Sequence, residues 1–210
     1  MNDNVMNMKT KIYQDNNYIE IIDDLAKGKV VGFPTETVYG LAIVYDDKSA
    51  FDNLYLIKNR LITKPISMMV SDTYQIEKVA YVDDKIKKVI DKFMPGPLTI
   101  ILKAKENLPE HVTFNKPTIG IRIPNLKIAL DILKMINKPL LVTSANISNE
   151  KALSKAKDVY NTFNGKIKSM IDVDASDDVA STVIDLSGNK PVLLRQGPIT
   201  LEEIMKEYEG

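Results

Sequence analysis

The chain has 210 residues, 44% of them hydrophobic, which fits one globular domain with enough apolar material for a sizeable core. Twenty-eight basic residues balance 28 acidic ones, so the protein is not generally polycationic, although a local basic groove remains open to it. The absence of cysteine excludes a disulfide framework, thiolate chemistry and zinc–cysteine sites. In chain order, Tyr18, Ile19, Ile21, Ile22 and Leu25 predict a helix over 17–27, with Asn17 and Glu20 placed as a capping box and Gly28 as its stop. A strand at 30–33 opens into a polar loop, Pro34-Thr35-Glu36-Thr37-Val38-Tyr39, and a second apolar run follows to Tyr45. An amphipathic helix over 49–58 ends in Lys58-Asn59-Arg60 and leads through Lys64-Pro65 to a strand at 66–70. Helices at 72–79 and 84–93 come next, and Pro95-Gly96-Pro97 breaks the second. Strands are expected at 98–102, 117–124, 139–142, 167–173, 181–185 and 192–195, with helices at 126–136, 154–163 and 201–208. Thr200 and Glu203 cap the last helix. The fold class is α/β with a mixed sheet, the 98–123 and 182–195 segments reading as antiparallel, in one domain over 1–210 with its core at about 15–200.

Standard phosphate-binding fingerprints are absent: no two of the nine glycines are spaced G-x-G, and no G-x-x-x-x-G-K-[ST] occurs. The single histidine, His111, has a loop-like context, and any Ser–His or multi-histidine metal mechanism would have to run through it. Lys58, Arg60 and Lys64 concentrate positive charge, as a phosphate grip or as a solvated helix end. Arg122, set among isoleucines, needs an anionic partner, either an internal carboxylate or that of a ligand. Ser144 and Asn146 follow an apolar strand, where ligands bind and where helices are capped. Ser181, Thr182 and Arg195 repeat the theme, and the acidic run around Asp174 is a metal site or a solvated loop. No stretch approaches eighteen uninterrupted apolar residues and Met1 to Thr10 lacks a signal-peptide core, so a cytoplasmic protein without a membrane partner is expected. Hydroxyls, an amide and cations without a nucleophile–base pair suit positioning and electrostatic stabilisation of charged substrates.

Six motifs then fall in a telling order: Pro34-Thr35-Glu36-Thr37-Val38-Tyr39-Gly40-Leu41, Lys58-x-Arg60 with Lys64-Pro65, Pro95-Gly96-Pro97-Leu98-Thr99, Gly120-Ile121-Arg122-Ile123-Pro124, Ser144-Ala145-Asn146, and Ser181-Thr182-Val183-Ile184-Asp185 with Leu194-Arg195-Gln196-Gly197. Over about 18–200 the chain resembles the YrdC-like family of threonylcarbamoyl-AMP synthases in its short, single-domain form. The resemblance implies a YrdC-like twisted mixed sheet with flanking helices and a concave ligand-binding face. It implies a nucleotidyltransferase using L-threonine, bicarbonate and ATP with Mg²⁺, whose product passes to downstream threonylcarbamoyl-transfer enzymes that modify adenosine 37 of tRNA. By matching position, Thr35, Thr37, Arg122, Ser181 and Thr182 would contact threonine. Lys58 and Arg60 would be catalytic cations of an ATP site that also includes Lys64, Thr118, Ser144, Asn146 and Arg195. No metal ligand is implied. Leu61 stands where the family usually has proline, and Met69 lies where many members carry a histidine. The alternative is a non-catalytic member that binds tRNA or double-stranded RNA.

Overall fold

The computed structural model describes residues 9–14, 16, 18–59, 61 and 65–210. Among the described residues, ten strands form one sheet in the order β1-β8-β2-β3-β7-β4-β6-β5-β9-β10. They are β1 (Lys11–Tyr13), β2 (Val31–Phe33), β3 (Gly40–Val44), β4 (Ser67–Met69), β5 (Leu98–Lys103), β6 (Thr118–Arg122), β7 (Leu140–Ser144), β8 (Ser169–Ile171), β9 (Thr182–Asp185) and β10 (Val192–Arg195). The helices are α1 (Tyr18–Ala26), α2 (Lys48–Lys58), α3 (Thr73–Val79), α4 (Asp84–Phe93), α5 (Glu110–Thr113), α6 (Lys127–Ile136), α7 (Ala156–Phe163) and α8 (Leu201–Glu209).

The sheet is covered on both faces because its central strands are apolar at successive positions, as buried strands must be. All five residues of β3 are buried, with Leu41 and Ile43 in one core and Ala42 and Val44 in the other. Ile21 and Leu25 of α1 and Ile128, Ala129, Ile132 and Leu133 of α6 close the second core. The first core takes α2, α3, α4, α7 and α8, with α4 packed on α8. Capping marks the helix starts: Asp47, Asp72 and Asp83 accept from backbone N–H groups of α2, α3 and α4, and Thr200 with Glu203 completes the expected box on α8. Gly28 ends α1 at φ +69°, a conformation that costs a glycine little. The proposed Asn17 cap lies outside the described residues.

The mixed sheet is as expected, with β5–β6 and β9–β10 antiparallel. Sequence reading could not see that these two pairs join through a parallel β5–β9 contact, Leu98 opposite Thr182. Two elements were not anticipated. β1 pairs with β8 in parallel, and the four-residue α5 carries His111. The acidic run is exposed at Asp172, Asp174, Asp177 and Asp178, and Asp174 has a structural role besides: it accepts from Ala156 N at 2.8 Å and pairs with Lys155 at 3.1 Å, capping α7 from outside it.

Candidate functional site

β2 and β3 pair antiparallel with Phe33 opposite Gly40, so residues 34–39 must leave the sheet and return to it. Other segments hold this loop through its backbone. Ser176 N donates to Thr35 O at 3.2 Å, Asp177 N to Thr37 O at 3.2 Å, and Tyr39 N to Leu153 O at 2.8 Å. Inside the loop the hydroxyls form a chain with a definite direction. Thr35 Oγ1 donates its single proton to Val38 O at 2.7 Å. The 3.0 Å contact between Thr35 and Thr37 Oγ1 must then be donated by Thr37, whose oxygen accepts from Arg122 Nη1 at 2.9 Å. Thr35 and Thr37 are 1% and 2% exposed, so neither is a freely rotating surface hydroxyl.

Arg122 ends β6 and is buried. Its Nε donates to Gly96 O at 3.1 Å, and its Nη2 lies 2.6 Å from Glu36 Oε1. The internal carboxylate that sequence reasoning left open is therefore Glu36, a residue it quoted but gave no role. Beside Arg122 lies a cavity of about 290 Å³. Ser67 and Met69 of β4 and Val142 and Ser144 of β7 reach it from alternate strand positions, which share a sheet face. Thr35, Thr37 and Tyr39 form one wall, and Thr99, Ser181 and Arg195 another. Thr99 Oγ1 and Ser181 Oγ lie 2.9 Å apart, while Arg195 donates through Nε to Ser181 O and through Nη2 to Ser181 Oγ. Among the described lining residues the charged ones are Arg122 and Arg195. Burial, and then the positive charge of Arg122, push Arg195 below the usual arginine value. Arginine titrates so high that Arg195 still stays cationic at neutral pH. Burial pushes the Tyr39 phenol upward, and its hydroxyl donates to Ile171 O at 2.6 Å, which makes it a neutral strut and not a base. The cavity is thus lined by two arginines and several hydroxyls.

Five of the expected site residues converge there besides Ser144: Thr35, Thr37, Arg122, Ser181 and Arg195. Several others do not. Lys58, expected to project toward phosphate, is fully buried; its Nζ donates to Ser144 O, to Asn146 O at 2.7 Å and to Asn146 Oδ1 at 3.2 Å. A lysine at a helix end can serve the chain's own carbonyls when a neighbouring strand end brings them within reach. Asn146 is likewise internal, donating to Ile147 O and Glu150 O and accepting from Ser144 Oγ at 2.6 Å. Thr182 does not line the cavity either. Its hydroxyl donates to Ile199 O at 2.6 Å and accepts from Gly197 N and Ile199 N, pinning the turn after β10. Thr118 begins the strand that Arg122 ends, about 13 Å away along it, and pairs with Lys103. Arg60 and Lys64 lie outside the described residues. His111 is half-buried, edge-on to Phe51 at 5.1 Å with Nε2 2.9 Å from Tyr45 O, and does not line the cavity. No three His, Asp or Glu side chains group to hold a metal among the described residues, and Glu36 is committed to Arg122. Glu36, paired with Arg122, is therefore not a free ligand for the expected Mg²⁺. Ser67, Thr99, Thr143 and Glu36 were missed, because hydroxyls and one acid within apolar strands or a turn carry no spacing signal.

A family model described as telomere recombination, for the Sua5/YciO/YrdC domain, matches residues 23–197. The threonylcarbamoyl-AMP synthase of Pyrococcus abyssi is 37% identical over 184 residues, covering 87% of this chain and 54% of that protein. A putative threonylcarbamoyl-AMP synthase of Methanocaldococcus jannaschii is 38% identical, with 87% and 86% covered. The crystal structure of P. abyssi Sua5 complexed with L-threonine superposes with a TM-score of 0.89 at 34% identity, covering 94% of this chain and 61% of that one. The chain thus spans little more than half the length of the P. abyssi relative it matches.

Proposed function

The chain belongs to the Sua5/YciO/YrdC family, and from that premise we propose that it is an L-threonylcarbamoyladenylate synthase. L-Threonine, bicarbonate and ATP are its substrates, and threonylcarbamoyl-AMP and pyrophosphate are its products. The observation that carries this reading is the pocket itself. Two arginines are its described charged lining residues, beside walls of threonine and serine hydroxyls, in a volume of about 290 Å³. That combination suits a small hydroxylated amino acid held by its carboxylate, and poorly suits a cation or a large apolar ligand. A relative 34% identical carries L-threonine in its crystal structure.

In the proposed reaction the threonine amine forms an N–C bond to bicarbonate with loss of water. A carbamate oxygen then attacks the α-phosphorus of ATP, and the bond to the departing pyrophosphate breaks. This chain's contribution is orientation and charge. Arg122 holds the amino-acid carboxylate, and Arg195 adds a second positive centre to the lining. Lys58 acts at one remove, by fixing the Ser144–Asn146 turn. Any Mg²⁺ would be held chiefly by the phosphates of ATP, and would supply charge neutralisation there. The product is a reactive mixed anhydride, so an enzyme transferring the threonylcarbamoyl group to adenosine 37 of tRNA must follow.

The test is pyrophosphate release from ATP and bicarbonate, with and without L-threonine, using L-serine as the control amino acid. Threonine-dependent release is expected. Release indifferent to threonine overturns the reading, and steeply salt-dependent RNA binding without turnover would favour a binding module instead.

A further inference from the structure

Outside the cavity lining, Arg122 forms a charge pair of unusual construction with Glu36. The Glu36 side chain is 12% exposed, yet its carboxylate and Arg122 Nη2 are buried, with no hydrogen-bond partner in acceptable geometry. The 2.6 Å approach of Glu36 Oε1 to Nη2 is therefore an ion pair without an aligned hydrogen bond. Buried pairs of this kind offset their desolvation poorly, so stability gives little reason to place one here. Its geometric effect is clear. Gly96 O holds Nε and Glu36 holds Nη2, which leaves Nη1 as the arm that meets Thr37 at the pocket wall. Glu36 itself does not line the pocket.

We infer that Glu36 is a positioning residue, which locks the Arg122 guanidinium so that Nη1 and the Thr37 hydroxyl face the ligand as one rigid unit. The lock also sets the polarity of the loop. With Nη1 donating to Thr37, the Thr37 proton given to Thr35 Oγ1 and the Thr35 proton given to Val38 O, Thr37 has only acceptor capacity left for a ligand. The pocket then reads an anionic group at Arg122 beside a donor at Thr37, the pattern of a carboxylate next to an amine or hydroxyl. Loss of the lock lets the guanidinium rotate and blurs this pair without removing any group that touches the ligand. The inference rests on the reading of Arg122 as the partner of the amino-acid carboxylate.

The experiment compares L-threonine with L-threoninamide, which lacks the anion, as amino-acid substrates of wild type, Glu36→Gln and Glu36→Asp. Wild type should prefer the acid at least a hundredfold in kcat/KM. In Glu36→Gln the KM for L-threonine should rise at least tenfold, with a smaller change in kcat, and the preference for the acid should shrink by a similar factor. Glu36→Asp should recover part of both. A wild type indifferent to the carboxylate overturns the reading of Arg122. A wild type that prefers the acid, with Glu36→Gln retaining that full preference, overturns the role of Glu36. Side-chain ¹⁵N spectra of native protein do not depend on the variants folding. They should show the Arg122 Nη groups as distinct, slowly exchanging signals, and a single averaged signal also overturns the lock.

Discussion

At the scale of single residues, the structure separates groups that face a ligand from groups that hold those groups in place. Lys58 is of the second kind. Truncating it leaves the carbonyls of Ser144 and Asn146 buried without their charged donor, and orphaned buried acceptors typically cost about 1–3 kcal/mol. Lys58→Ala should therefore lower the unfolding free energy by about 2–3 kcal/mol in urea titration and slow threonine-dependent pyrophosphate release at least tenfold. Wild-type stability with the same rate loss would show instead that the lysine acts on substrate directly. Thr182 gives the complementary case. Thr182→Val keeps the shape but strips Gly197 N and Ile199 N of their acceptor, so the denaturation midpoint should fall while the KM for threonine moves less than threefold. A tenfold rise in KM at unchanged stability would restore Thr182 to the ligand site. Arg122 was legible as an anomaly, since a cation among isoleucines needs an anion. That the anion is Glu36 was not legible, because the pairing spans 86 residues of sequence and depends on how the opening loop folds back.

At the scale of elements, most helices were readable because apolar residues recur with the helical period and Asp or Thr stands at the cap positions. The strand β1 was not readable. Lys11 and Ile12 are exposed and the strand has three residues, so there is no apolar alternation to see. It holds because Thr10 beside it is buried and its hydroxyl bonds to Phe163 O and Ile167 O. The same logic explains why the role of Asp174 in the acidic loop was missed. Asp174 caps α7 from 18 residues away, whereas capping is recognised in sequence only when the cap adjoins its helix. Asp174→Ala should cost about 1 kcal/mol, the usual value of such a cap. Asp174→Asn should retain part of that by still accepting from Ala156 N, as paired urea titrations would show. Equal losses in the two variants would assign the effect to the Lys155 ion pair alone.

At the scale of the whole molecule, the carboxylates with resolved shifts give a direction for acid sensitivity. Burial opposes ionisation of Asp72, but the Ser71 hydroxyl and the Gln75 N–H outweigh it and hold the group below its usual range. Asp174 is lowered by the Ala156 N–H and then by Lys155, and Glu203 by the N–H and hydroxyl of Thr200. Groups depressed in the folded state stabilise it fully above their unfolded values, near pH 4, and that contribution disappears as pH falls through the folded ones. Urea midpoints should accordingly change little from these groups between pH 7 and 5 and fall below about pH 4; a midpoint that rises on acidification there would contradict them. The strand order has a further consequence, for the timescale on which the protein opens. The strands flooring the pocket, β7, β4, β6 and β5, each have partners on both sides, whereas β1 and β10 are the outer strands. Amide protons of Leu141 and Val142 have no local route to solvent and should exchange with deuterium only when the whole domain unfolds. Those at the two rims should exchange early through fraying. Saturation with a pocket ligand should slow exchange at the floor by the factor by which it slows global unfolding, leaving the rims unaffected.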